Sequence, residues 1–120
     1  MALKRLYVPA ERLDGFVAAL TAAAAATVTG HGLDARSTVG PLHTAAAAER
    51  ARDLLAEAAA TGARVHQPGE LDPEAAASGG HYVVPAVVAS PAPGSPIVAD
   101  EQFAPLLPVV GYRDLDDAVA

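Results

Sequence analysis

Cysteine is absent from these 120 residues. Without a thiol the chain holds no disulfide framework, no Cys-ligated metal and no thiol nucleophile. Basic residues are also scarce: eight Lys and Arg stand against fourteen Asp and Glu, the formal net charge is −6, and no basic run is longer than Lys4-Arg5. That balance argues against binding to a phosphate backbone or an anionic membrane, so neither nucleic acid nor membrane is an expected partner. Long hydrophobic runs are missing as well. No stretch of about eighteen strongly apolar residues occurs, and the nearest approach is alanine-rich and interrupted by Thr. Met1 to Arg5 leads straight into Leu6-Tyr7-Val8, which reads as no signal peptide, and a soluble cytoplasmic protein is the expectation. His31, His43, His66 and His81 show no ligand spacing such as His-x-x-x-His, so no metal site is expected.

What is present reads as one domain over residues 1–120, long enough to bury roughly two thirds of its unfolded surface. Lys4 to Val8 has the composition of a short strand. From Glu11 to about Val28, Leu13, Phe16, Val17, Leu20 and Ala24 recur at helical spacing and predict one apolar helix face, with Phe16 and Tyr7 assigned to the core. Thr44 is placed to cap a second helix whose stripe is Ala47, Ala51, Leu54, Leu55 and Ala58, and Gly62 to end it. Glu49, Asp53 and Glu57 form that helix's solvated face. Ala63 to His66 reads as a strand, and residues 68–80 as a surface excursion with one helical turn near Glu74. His81 to Val88 is β-branched and aromatic, with Pro85 pointing to an edge or a bend. Asp114 is positioned to cap a helix in the tail. With strands near 4–8, 63–66, 81–88 and 106–112, the pattern predicts an α/β fold, three-layered, with a small, partly parallel sheet flanked by two alanine-rich helices.

One stretch stands out as a site candidate. In Pro96 to Pro105, Asp100, Glu101 and Phe103 lie between prolines that stiffen the backbone, just ahead of the apolar run Leu106 to Val110. A carboxylate and an aromatic two residues apart can clamp a ligand that has a polar and an apolar part. A loop with an exposed acid and a Phe plugging the core is the competing reading. Ser37 and Thr38 have His31 and His43 nearby in sequence, yet no acid completes a triad, and loop polarity accounts for them. Gly30-x-Gly32 follows a helix instead of a strand and makes a poor phosphate loop.

Asp100 to Val109 resembles the Glu-Glu-x-Phe-Gly-Pro-x-x-Pro-Val stretch of the NAD(P)-dependent aldehyde dehydrogenases. Asp100 stands for the first acid and Ala104 for the Gly, an exchange that strains the backbone if the position needs positive φ. Gly30-His31-Gly32-Leu33-Asp34 through Thr38 to Gly40-Pro41-Leu42 is similar to the family's connection between two helices, without a gap. Ala63 to His66 and Gly80 to Val88 resemble its following strands, with Ala86 for a Thr.

The resemblance implies that the chain is a slice of the family's catalytic domain, that Glu101 holds the nicotinamide ribose and that Phe103 packs beside the nicotinamide of NAD or NADP. Where Ala47 stands, members of the family often carry a polar side chain on the ribose-facing side. Arg5 matches an Arg five residues after the family's nucleophilic Cys, which puts that Cys just ahead of Met1, with the general-base Glu and the Gly-rich cofactor motif further upstream. The family forms a thiohemiacetal on Cys, passes hydride to the nicotinamide and hydrolyses the thioester with a Glu-activated water. By this comparison no catalytic residue lies on the chain, which is expected to be inactive alone and to bind cofactor weakly if at all. Three roles remain open: half of a split aldehyde dehydrogenase, a non-catalytic interaction or small-ligand module that self-associates or regulates a full-length relative, or a truncated remnant. A sheet cut from a larger one should leave an apolar edge or face unpaired, which predicts a homo-oligomer or a complementing aldehyde dehydrogenase polypeptide.

Overall fold

The computed structural model describes residues 3–119. The elements in chain order are β1 (Leu6–Pro9), a 3-10 turn (Ala10–Arg12), α1 (Leu13–Ala24), β2 (Val28–Thr29), α2 (Ala45–Ala60), β3 (Arg64–His66), β4 (Glu70–Leu71), α3 (Pro73–Ala77), β5 (Ala86–Ala89), α4 (Pro96–Ala99), β6 (Leu106–Tyr112) and α5 (Leu115–Val119). The main sheet has the order β1-β6-β5-β3, with β1, β6 and β5 parallel and β3 antiparallel to β5. This is the three-layer, partly parallel α/β architecture the sequence pattern predicts.

Alternation along the strands builds two cores. Ala86, Val88 and Leu106 face α2 and α4, where Ala48, Ala51, Leu54, Ala58 and Ile97 meet them. Val87, Ala89, Val109 and Val8 face α1 and pack under Val17 with Leu13 and Leu20. Strands buried on both faces are what a parallel sheet demands, and β5 has all four residues buried. The alanines of α2 let it approach the sheet closely, while Leu54 and Leu55 supply the bulk.

Both predicted ends of α2 are observed. The Thr44 hydroxyl accepts from the Ala47 N–H at 3.1 Å, and Gly62 adopts φ +95°, the left-handed conformation that closes a helix. In the tail, the Asp114 carboxylate accepts from the Asp117 N–H at 2.9 Å, as the cap reading requires; Ala120 lies outside the described residues.

Several expectations are corrected. The first helix ends at Ala24, because Thr27 turns its hydroxyl back onto the Ala24 carbonyl at 2.8 Å and Val28–Thr29 leaves to pair with Glu70–Leu71 in a second, two-stranded sheet. The excursion over 68–80 is therefore tied down at β4, and Asp72 caps α3 through the N–H groups of Glu74 and Ala75. The strand expected from His81 begins only at Ala86, and it is interior to the sheet. Pro85 stops the pairing one residue before it and does not mark an edge. Phe16 and Tyr7, expected in the core, are 42% and 39% exposed. Phe16 lies on the flank of α1 opposite to the one facing β3, beyond the last strand.

Pro108 sits inside β6, a strand with neighbours on both sides. The Ala86 and Ser90 N–H groups donate to Pro105 and Val109, so Val109 directs its own backbone groups at β5 and Pro108 directs its own toward β1. Pairing with β1 starts only at Leu6↔Val109, so the missing N–H of Pro108 costs no bond in the ladder.

Candidate functional site

Glu101, Gln102, Phe103 and Ala104 connect α4 to β6, opposite the first half of α2. Pro96 at the start of α4 and the extended backbone of Asp100 at its end make the helix a single turn. In the extended chain that follows, side chains alternate. Gln102 turns inward, only 7% exposed, while Glu101 and Phe103 turn outward. Phe103 is 73% exposed, which removes the reading of it as a core plug.

Two cations hold the segment in place. Arg50 of α2 pairs with Asp100 at 3.2 Å. Lys4 donates from Nζ to Gln102 Oε1 at 3.4 Å and lies 5.9 Å from the centroid of the Phe103 ring, a cation–π distance. Glu101 enters no ion pair or hydrogen bond among the described residues, so its carboxylate is free to accept from a ligand hydroxyl. Glu101, Phe103, His43, Ala47 and Arg50 line a shallow cavity of about 190 Å³.

That volume is below the roughly 300–1,000 Å³ of a complete small-molecule pocket. It has room for a ribose or a single ring, not for a dinucleotide. The fit to a nicotinamide cofactor is therefore the fit of one wall: an open aromatic face, a free carboxylate and the small side chain of Ala47 between them. The exchange of Gly for Ala104 is accommodated, because Ser90 is the one non-glycine with positive φ among the described residues.

The structure thus brings together both predicted site residues. Lys4, Arg50, His43 and Gln102 were not expected there. Ala47 and Arg50 are three apart and so share a face of α2, a spacing visible in the sequence; Lys4 is 98 positions from Gln102, and nothing local announces that contact. Ser37, Thr38, His31 and His43 form no catalytic arrangement. The Ser37 Oγ instead packs 2.5 Å from where a Cβ on Gly30 would lie, which is why that loop needs glycine, and the Thr38 hydroxyl accepts from the Val28 N–H. Arg36 pairs with Asp34 at 2.6 Å and with Asp72 at 3.1 Å, a brace between the loop and α3. Hydrogen bonds from Arg36 hold the Asp34 carboxyl below its ordinary range. No group of His, Asp and Glu suited to a metal occurs among the described residues, and no helix there is long and apolar enough to cross a membrane.

The family model of the aldehyde dehydrogenases matches residues 1–120. The chain belongs to the aldehyde dehydrogenase family. Glutarate-semialdehyde dehydrogenase of Pseudomonas aeruginosa is 35% identical over 116 residues, which are 97% of this chain and 23% of that protein. Lactaldehyde dehydrogenase of Escherichia coli is 34% identical over 118 residues, 98% of this chain and 24% of that one. The crystal structure of Mycobacterium tuberculosis aldehyde dehydrogenase complexed with NAD+ superimposes with a TM-score of 0.83 at 27% identity, over 97% of this chain and 24% of that one. Succinic semialdehyde dehydrogenase from Streptococcus pyogenes, solved in complex with NADP+, gives 0.80 at 25% identity, over 97% of this chain and 25% of that one. The chain accordingly spans about a quarter of the length of the relatives it matches.

Proposed function

We propose that these 120 residues supply the nicotinamide-facing wall of an NAD(P)-dependent aldehyde dehydrogenase site that a second polypeptide, bearing the thiol and the general base, completes. The observation that carries this reading is the side-by-side presentation of a free Glu101 carboxylate and an exposed Phe103 ring on either side of the buried Gln102. Glu101 accepts hydrogen bonds from ribose hydroxyls, and Phe103 packs against the nicotinamide ring and keeps water from one face of it. Lys4 steadies the ring from the other side. When bound, the cofactor supplies hydride-accepting chemistry; the contribution of this chain is to bind and orient, and none of its side chains makes or breaks a bond.

The position of Lys4 adds support. Each residue spans at most about 3.6 Å, so a group placed shortly before Lys4 in a family member lies within reach of Phe103. That is where the matching of Arg5 puts the family's nucleophile. A non-catalytic module is the second reading, favoured by the exposed Leu3, Tyr7 and Phe16, which suit association with a copy of itself or with a full-length relative.

Affinity purification of the tagged chain from its own cells, with partners identified by mass and the eluate assayed for aldehyde-dependent NAD(P)H formation, tests the proposal. A Cys-bearing aldehyde dehydrogenase polypeptide, with activity that neither part has alone, is the expected result. Recovery of the chain by itself, inactive and without cofactor affinity, refutes the split-enzyme reading.

A further inference from the structure

The two ends of the main sheet are finished differently. At β3 the edge is three residues long, Arg64 is tied across it to Asp14 at 2.7 Å, and none of the large exposed apolar side chains lies on it. At β1 apolar surface lies open on both faces of the sheet. On one face Phe16 lines a cavity of about 380 Å³ with Gly15 and Ala19. On the other, Tyr7, Tyr112, Val98 and Val110 line a cavity of about 470 Å³, with Arg5 among its walls.

The register shows which backbone groups are left over. Val109 points its N–H and C=O at β5, so its neighbour Leu6, and Val8 two residues on, point theirs at β6. Tyr7 points its own N–H and C=O away from the sheet. Pro9 has the same outward orientation but no N–H, so the free edge ends there.

We propose that the sheet continues across β1, and that the occupant is an extended segment of the complementing aldehyde dehydrogenase polypeptide, apolar on both of its faces, pairing with Tyr7 and covering Phe16 and the Tyr7–Tyr112 cavity. This rests on the split-site reading above and names the surface that joins the parts. A second copy of this chain fits poorly. A two-fold antiparallel pair centred on Tyr7 sets Arg5 opposite Pro9, and every rung beyond the centre lacks a donor. A segment from a different polypeptide has no such restriction. Three quarters of the length of the matched relatives lies outside this chain, and Lys4 connects β1 directly to Gln102 and Phe103. A strand laid beside β1 therefore arrives at the candidate site.

The test is amide hydrogen exchange on the full chain, free and in the purified complex, read at Tyr7 and at His66 on the opposite edge. Exchange at Tyr7 slowed at least about tenfold in the complex, with His66 unchanged, is expected. The surface variants Tyr7→Lys and Phe16→Lys should each weaken association about tenfold or more while the circular dichroism and melting temperature of the free chain stay as they were. An active complex in which Tyr7 exchanges as in the free chain overturns this inference and leaves the split-site reading standing. Protection of Tyr7 in the free chain that grows with its own concentration assigns the edge to a second copy and overturns it as well. Absence of any complementing polypeptide removes both proposals together.

Discussion

At the residue scale, the candidate site depends on a distinction between what Glu101 does for folding and what it does for a ligand. The carboxylate is exposed and unpaired, so Glu101→Ala should leave the melting temperature of the free chain unchanged. In the assembled complex the same change should weaken cofactor binding about ten- to a hundredfold, the range for a charged hydrogen bond of roughly 1.5–3 kcal/mol. Titration of both forms with NAD+ and NADP+ checks this, and equal affinities would reject the role. Asp34 permits a prediction about pH. Its carboxyl is held below the ordinary value of 3.8 by Arg36, so the folded state favours the charged form. That contribution is complete above the ordinary value and is lost as pH falls through the lower, folded-state value. Asp34→Asn should therefore flatten the acid limb of the stability curve without altering stability relative to other sites near neutral pH, as followed by circular dichroism on acid titration. Glu101 and Phe103 were legible as a pair from their spacing, since alternation in an extended segment puts both on one side. Lys4 was not, because its approach to Phe103 is made by the fold and not by the local chain.

At the scale of elements, the helix boundaries were readable where side chains close them and misread where the backbone leaves for another partner. Thr44 and Gly62 delimit α2 by chemistry that is local to the sequence. Removing the cap in Thr44→Ala should cost about 1 kcal/mol, seen as a lowered midpoint in chemical denaturation. The end of α1 at Ala24 depends on Val28–Thr29 pairing with Glu70–Leu71, a contact between segments some forty residues apart that no periodicity encodes. For the same reason the alanine run reads as a longer helix than the one that forms. Leu54 is buried against Val88 and Ile97, so Leu54→Ala should cost about 2–5 kcal/mol, far more than any surface change proposed here. Thermal or urea unfolding would establish that order, and a cost near zero would mean that α2 packs otherwise.

At the scale of the whole molecule, the three layers were predictable because apolar runs with helices between them have few ways to be covered. The misassignment of Phe16 and Tyr7 to the core came from the same logic applied to a sheet that stops. Both residues have the hydrophobic character of a covered position, yet the sheet has no strand beyond β1 to cover them. An open apolar end on a chain of charge −6 should bind a hydrophobic dye such as ANS at neutral pH, and the complementing polypeptide should displace it. Dye fluorescence that is unaffected by complex formation would place the exposed surface elsewhere.

The chain has three tyrosines and no tryptophan, and two of the three, Tyr7 and Tyr112, line the same cavity beside β1 while Tyr82 is buried elsewhere. The ultraviolet emission of the free protein is thus a tyrosine signal drawn largely from that one place. Any tryptophan carried in by a binding segment would act as an energy acceptor for it, so the molecule comes with an intrinsic optical gauge of whether its open side is filled.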